Sequence, residues 1–213
     1  MKIIGKLPDR ISIFPLSNFI IFPNTTVPLN IFEPRYISMI DDSMNSNKII
    51  GLIQPKEQNK YTPELYSVGC AAKITSYNES DDGRYLIALN GISRFKILEE
   101  INNNKTYREC KVSFDEYQLD QKLNTPKFNK NDLEPIFKNL KLLLKKRGYT
   151  VNLDSLKNES LEQIINTLSM ASPFSLEEKQ SLLETQNVLS RKSELEQILN
   201  TYILDNFSNT TLQ

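Results

Sequence analysis

Cys70 and Cys110 are the only thiols in this chain, and no histidine accompanies them. Such side chains do chemistry in company: a thiol nucleophile needs an adjacent base, and a zinc site needs several clustered nitrogen or sulfur donors. Spacing supplies neither set. Without histidine, the commonest general base and metal ligand are both missing, and so is every Ser-His or Cys-His pair. Carboxylates are plentiful, with 26 Asp and Glu, yet none stands at the spacing of an acid–base pair. No G-x-x-x-x-G-K-[ST] string occurs, and six scattered glycines build no phosphate cradle. The expectation is therefore no catalytic residue, no metal and no cofactor. Both cysteines lie in strand-like runs, VGCAAKI and RECKVSF, where reduced thiols serve as small apolar fillers.

With catalysis set aside, binding is left. The 26 basic and 26 acidic side chains cancel, so no nucleic acid and no anionic membrane is expected as a partner. Lys145, Lys146 and Arg147 form the one basic cluster, and in a helix's last turn they complement its dipole. The start, MKIIGKLPDR, has no apolar run long enough for a signal peptide. Pro15, Ser17 and Asn18 interrupt the apolar stretch from Ile11 to Phe22, so it spans no membrane, and a cytoplasmic location is expected. Phe19, Ile20 and Phe22, in SNFIIFP, are candidates for a loop that leaves apolar surface exposed to an unfolded polypeptide. Glu33, Arg35 and Arg94 are the charged candidates for the same site. Each also has a structural use: Glu33 with Arg35 pairing or capping a helix, and Arg94 binding carbonyls or a carboxylate at a barrel end.

The elements that would position these residues divide by period. The first part is β-rich. ISIFPLSNFIIFPNTTVPLNIFEPRY places two apolar strands around an Asn-Thr-Thr turn, and Pro15, Pro23 and Pro28 confine them to edges and corners. A helix follows over about 34–44, with Pro34 in its first turn. Strands are expected at 49–54, from Val68 in strict alternation, at 84–89, at 93–101 after a bend at Asn90-Gly91, and from Tyr107 to Tyr117. Residues 119–131 read as a polar linker. Beyond it the period becomes helical, with stripes in 133–144, 160–171 and 195–202 and a capping box at Ser175–Glu178. Asn131 with Glu134 marks another helix start, and Gly148 its helix's end. The division is 1–118 barrel, 119–131 linker, 132–207 bundle and 208–213 tail: an α+β chain with a β-barrel followed by a helical bundle.

Several strings in this order resemble one family. They are FPL…FP…VPLNIFEPRY at 14–36, IIGLIQP at 49–55, LYSVGCAAKI at 65–74, DGRYLIALNGISRFKI at 82–97 and ASPFSLEEKQSLLET at 171–185. Together they resemble the N-terminal substrate-binding domain of the ATP-dependent Lon protease over nearly the whole chain. The resemblance implies a PUA-like pseudobarrel with a short helix, joined to a C-terminal helical bundle. In that protease an ATPase module and a Ser-Lys peptidase domain follow, and neither has a counterpart here, so a stand-alone, non-enzymatic domain is expected. Its implied function is recognition of unfolded or damaged polypeptide segments, within protein quality control. The alternative is an adaptor that docks on full-length Lon protease through Leu195, Ile198 and Tyr202; RNA binding on the PUA-like barrel ranks third, against the neutral charge.

Overall fold

The computed structural model describes residues 7–57, 62–121, 129–150 and 152–208. The chain forms two compact units, residues 1–123 and 124–213. Among the described residues they hold six strands and five α-helices, an α+β architecture with a mixed sheet first and helices second.

In the first unit the strands are β1 (Arg10–Pro15), β2 (Thr26–Ile31), β3 (Ile49–Pro55), β4 (Leu65–Glu79), β5 (Tyr85–Ile101) and β6 (Arg108–Ser113). They run in the order β2-β5-β4-β3-β1-β6, and β5 also pairs with β6, which closes the ring. Only β1 and β3 are parallel, so the segment between them must cross over, and it does so through β2 and α1 (Pro34–Met44). Ile11, Ile13, Ile53, Ala71, Phe95, Cys110 and Val112 fill the barrel. Both cysteines are buried and unpaired, and burial pushes the Cys110 thiol up to about 11. Helix α1 turns Tyr36, Met39, Ile40 and Ser43 inward, the i, i+3, i+4, i+7 spacing of one apolar stripe.

Three expectations are corrected here. The stretch 16–25 is a loop and not a strand: Asn18 and Asn24 take positive φ, and Pro23 lacks a donor. The Thr25 hydroxyl ties the loop, donating to the Phe22 carbonyl at 2.6 Å. The expected bend at Asn90-Gly91 lies inside β5, one continuous 17-residue strand whose register against β4 shifts at this point. Gly91 is needed for close approach, since a Cβ there would stand 2.1 Å from the Phe22 carbonyl oxygen. The alternation expected in β4 holds beyond Ala72, but Val68–Ala72 is buried on both faces.

The first unit also runs past residue 118. A 3-10 stretch over Asp115–Gln121 buries Tyr117 and carries Asp120, which Arg94 grips. Residues 122–128 of the expected linker lie outside the described residues.

The second unit contains α2 (Glu134–Lys146), α3 (Leu161–Ala171), α4 (Leu176–Glu184) and α5 (Val188–Ser208). Helix α5 packs on the other three and buries Leu195, Ile198 and Leu199. Capping boxes start α3 at Ser160–Gln163 and α4 at Ser175–Glu178. The pair expected at Asn131 and Glu134 is not formed. Instead the Asn129 side chain accepts from the Asn131 amide and opens a short 3-10 turn ahead of α2. Gly148 ends α2 at φ +80°. Of the basic cluster, Arg147 donates to the Pro173 carbonyl at 2.6 Å and lies over the Tyr202 ring. The buried Arg191 donates to Asn166 at 2.6 Å and to the Leu182 carbonyl, joining α5 to α3 and α4. Among the described residues no helix is long and apolar enough to cross a membrane.

Candidate functional site

A cleft of about 280 Å³ opens in the first unit where four elements end or begin. The end of β1 brings Ile13 and Pro15, the end of β3 brings Pro55, the start of β6 brings Tyr107 and Arg108, and the start of α1 brings Arg35 and Tyr36. Glu57, Thr62, Pro63, Thr106 and Ser17 complete the lining. The prolines fit strand ends, because a residue leaving a sheet owes no ladder bond.

Local sequence fixes the α1 corner. Glu33 is extended (φ −74°, ψ 129°), as the residue before proline must be, and Pro34 occupies the first helical position. The Tyr36 and Ile37 amides then return to the Glu33 carbonyl at 2.9 and 3.0 Å. The Glu33 carboxylate caps no helix amide; it accepts from Arg35 Nε at 2.9 Å. Arg35 lies over the Tyr36 ring at 4.6 Å, and Phe14 packs against the same ring with centroids 4.4 Å apart. Tyr36 is thus clamped and 6% exposed. Burial pushes its hydroxyl up from the usual range, while the positive charges of Arg35 and Arg108 pull the other way.

Arg108 faces the cleft from β6. It donates to both Glu100 oxygens, at 2.7 and 2.5 Å, and to the Pro63 carbonyl at 2.7 Å. Tyr107 turns its hydroxyl away, donating to Asp42 of α1 at 2.5 Å. Lys105 bridges Asp42 and Glu109, and Glu109 also accepts from Arg10 and Asn103. This lattice ties α1 to the β5–β6 connection.

The residues singled out in the sequence separate accordingly. Glu33 and Arg35 meet at the cleft, and Arg35 lines it. Phe19 is half-buried, but Ile20 and Phe22 are core, so the loop exposes far less apolar surface than its composition suggests. Phe32, at 65%, is the exposed aromatic of this corner. Arg94 is 1% exposed and bound to Asp120, with Nε and the backbone amide at 2.9 Å from one oxygen and Nη2 at 2.7 Å from the other. Its guanidinium also lies 4.2 Å from the Tyr117 ring centroid. Arg94 therefore carries out the structural task weighed for it, holding a carboxylate inside the barrel end. Tyr36, Tyr107 and Arg108 were not singled out as binding residues. The last two come from the start of β6 and the residue before it, some seventy residues from α1, and no local spacing signals that meeting. Among the described residues no cluster of three His, Cys, Asp or Glu could hold a metal.

Residues 10–201 match the model of the ATP-dependent protease La (LON) substrate-binding domain. The chain belongs to this family. Among curated relatives, it is 28% identical over 205 residues to Lon protease of Buchnera aphidicola subsp. Baizongia pistaciae, covering 91% of this chain and 25% of that protein. Lon protease of Parabacteroides distasonis is 28% identical over 209 residues, 92% of this chain and 24% of the relative. This LON domain thus spans about a quarter of the curated relatives' length. Two solved structures share its fold. The Lon N-terminal domain protein from Xanthomonas campestris has a TM-score of 0.58 at 19% identity, covering 87% of this chain and 96% of its own. The N-terminal domain of Mycobacterium avium complex Lon protease has a TM-score of 0.58 at 18% identity, covering 90% and 98%.

In the LON domain's second unit, the stripe that would serve an adaptor is already occupied. Leu195 and Ile198 are buried, and Tyr202 stacks on Phe174 and donates to Glu178 at 2.8 Å.

Proposed function

We propose that this LON domain is a non-catalytic, cytoplasmic polypeptide-recognition module that holds segments of unfolded or damaged proteins. The observation that carries the reading is the match of residues 10–201 to a substrate-binding domain model. The cleft beside α1 offers a place for the contact. Its lining mixes proline and tyrosine surfaces with polar and charged groups, which suits contact with a short extended segment. Phe19, Glu33 and Arg35 remain the contact candidates of the sequence, with Phe32 as an exposed apolar neighbour along the backbone. Ile20, Phe22 and Arg94 are buried in the first unit and present almost no surface to a ligand.

Affinity should be micromolar or weaker, because a disordered ligand loses conformational entropy on capture. The test is titration with one reduced, unfolded model protein and with its native form. Binding of the unfolded form alone supports the reading; equal or absent binding to both overturns it. Nucleotide turnover or peptide cleavage by the pure protein would overturn the non-catalytic part.

A further inference from the structure

We propose that the cleft beside α1 recognises a carboxylate of the bound polypeptide, either its C-terminal end or an Asp or Glu side group, through the Tyr36 hydroxyl with Arg35 and Arg108. The proposal rests on the polypeptide-binding reading and adds to it a chemical preference.

The first ground is Tyr36. Its side chain is nine-tenths buried and lines the cleft, yet its hydroxyl has no hydrogen-bond partner among the described residues. The hydroxyl is not sealed from solvent, so it opens onto the cleft, where a ligand's acceptor can take the place of water. The free function is an O–H donor, and burial keeps it protonated at neutral pH, so the missing partner is an acceptor.

The surrounding charge says which acceptor. Among the described residues of the lining Arg35 and Arg108 are the cations and Glu57 the carboxylate; both arginines act on the Tyr36 hydroxyl, with Glu33 acting in the opposite sense. The first turn of α1 also faces the cleft with Arg35 and Tyr36, and this turn contains no acidic residue. Glu33, just before the helix, is turned to Arg35 and caps no amide of this turn. Arg35 and Arg108 are held by Glu33 and Glu100, whose side chains are 44% and 49% exposed. Ion pairs this exposed are weak, and a guanidinium with five donors can share an additional acceptor.

Size and net charge narrow the class. The cleft lies just below the ~300–1,000 Å³ of typical small-molecule pockets, enough for a peptide terminus or a single side group. Two guanidiniums, each already paired with a half-exposed carboxylate, suit a single negative charge and not a polyphosphate.

The probe is a short fluorescein-labelled peptide rich in Leu and Phe, made in four versions: C-terminal acid or amide, each with one internal Glu or Gln. Anisotropy titration against the whole protein should show the version with the recognised carboxylate binding roughly tenfold tighter than its neutral counterpart. The version that loses affinity tells a C-terminus from a side group. Tyr36→Phe and Arg35→Gln should reduce that ratio towards one. Glu33→Gln, which releases Arg35, should strengthen binding of the acidic peptide. Equal affinity for all four versions overturns the carboxylate preference and leaves polypeptide binding standing. A ratio that survives in Tyr36→Phe also overturns it. Failure of every version to bind defeats the underlying reading together with this one.

Discussion

Replacing Asp120 by Ala isolates what Arg94 does. The pair is nearly dry, with side-chain exposures of 2% for Arg94 and 9% for Asp120. Asp120 receives three donors from Arg94, including its backbone amide, so Ala removes every one of these acceptors together. The guanidinium would keep its contact with the Tyr117 ring, worth about 0.5–2 kcal/mol and no substitute for a counter-charge. Removing one side of a buried pair costs about 3–5 kcal/mol, a large part of an ordinary domain's 5–15 kcal/mol. Urea unfolding followed by far-ultraviolet circular dichroism should register that loss for Asp120→Ala. The double variant Arg94→Met, Asp120→Leu removes both charges and should recover most of it, because a matched apolar pair often equals a buried ion pair. A loss below about 1 kcal/mol in Asp120→Ala would refute the placement of Arg94 as a structural tie. So would a double variant that is folded and stable yet no longer binds unfolded protein, since Arg94 would then be touching the ligand.

Three further outcomes follow from the same packing. Gly91→Ala should cost about 3 kcal/mol or more, as its Cβ would meet the Phe22 backbone at 2.1 and 2.8 Å; an unchanged urea midpoint would contradict this. Burial alone would raise the Glu109 carboxyl, but Arg10 and Lys105 together hold it below its ordinary 4.5. Its stabilising contribution is thus present above that value and lost as pH falls through the depressed folded value, so Glu109→Gln should flatten the acid loss of stability measured by thermal melts. Tyr36→Phe should leave stability unchanged or raise it by up to about 1 kcal/mol, because the deleted hydroxyl has no protein partner among the described residues; a clear drop in melting temperature would show that the hydroxyl is satisfied in the free protein.

The fold was largely legible because its signals are local. Pro34 in the first turn of α1, the Ser175 cap, Gly148, and the stripes of α2, α3 and α5 each follow from neighbours within a turn or two. The signals that misled are those with a tertiary cause. SNFIIFP looks like exposed apolar surface until the barrel places Gly91 beneath Phe22 and draws Ile20, Ile21 and Phe22 into the core. The apparent bend at Asn90-Gly91 is a register shift, because β4 pairs on through it. The candidate site was half legible. Glu33 and Arg35 lie in one conspicuous corner of the sequence, but Arg108 reaches it only through ring closure by β6, and an ordinary aromatic such as Tyr36 acquires meaning only once its hydroxyl is seen to be unmatched.

Pairing pattern separates the structural arginines of this domain from the candidate binding ones more sharply than residue type does. Arg94 and Arg191 are buried and tie elements together: Arg94 holds a carboxylate, and Arg191 an amide and a carbonyl. Arg35 and Arg108 line an open cleft, and their carboxylate partners stand half in water. A guanidinium held by a buried carboxylate cannot leave it without stranding a charge, whereas one held by an exposed carboxylate exchanges it at little cost. The cleft can therefore accept a new anion without disturbing the barrel, and removing Arg35 should alter binding far more than stability. Removing Arg94 should do the reverse.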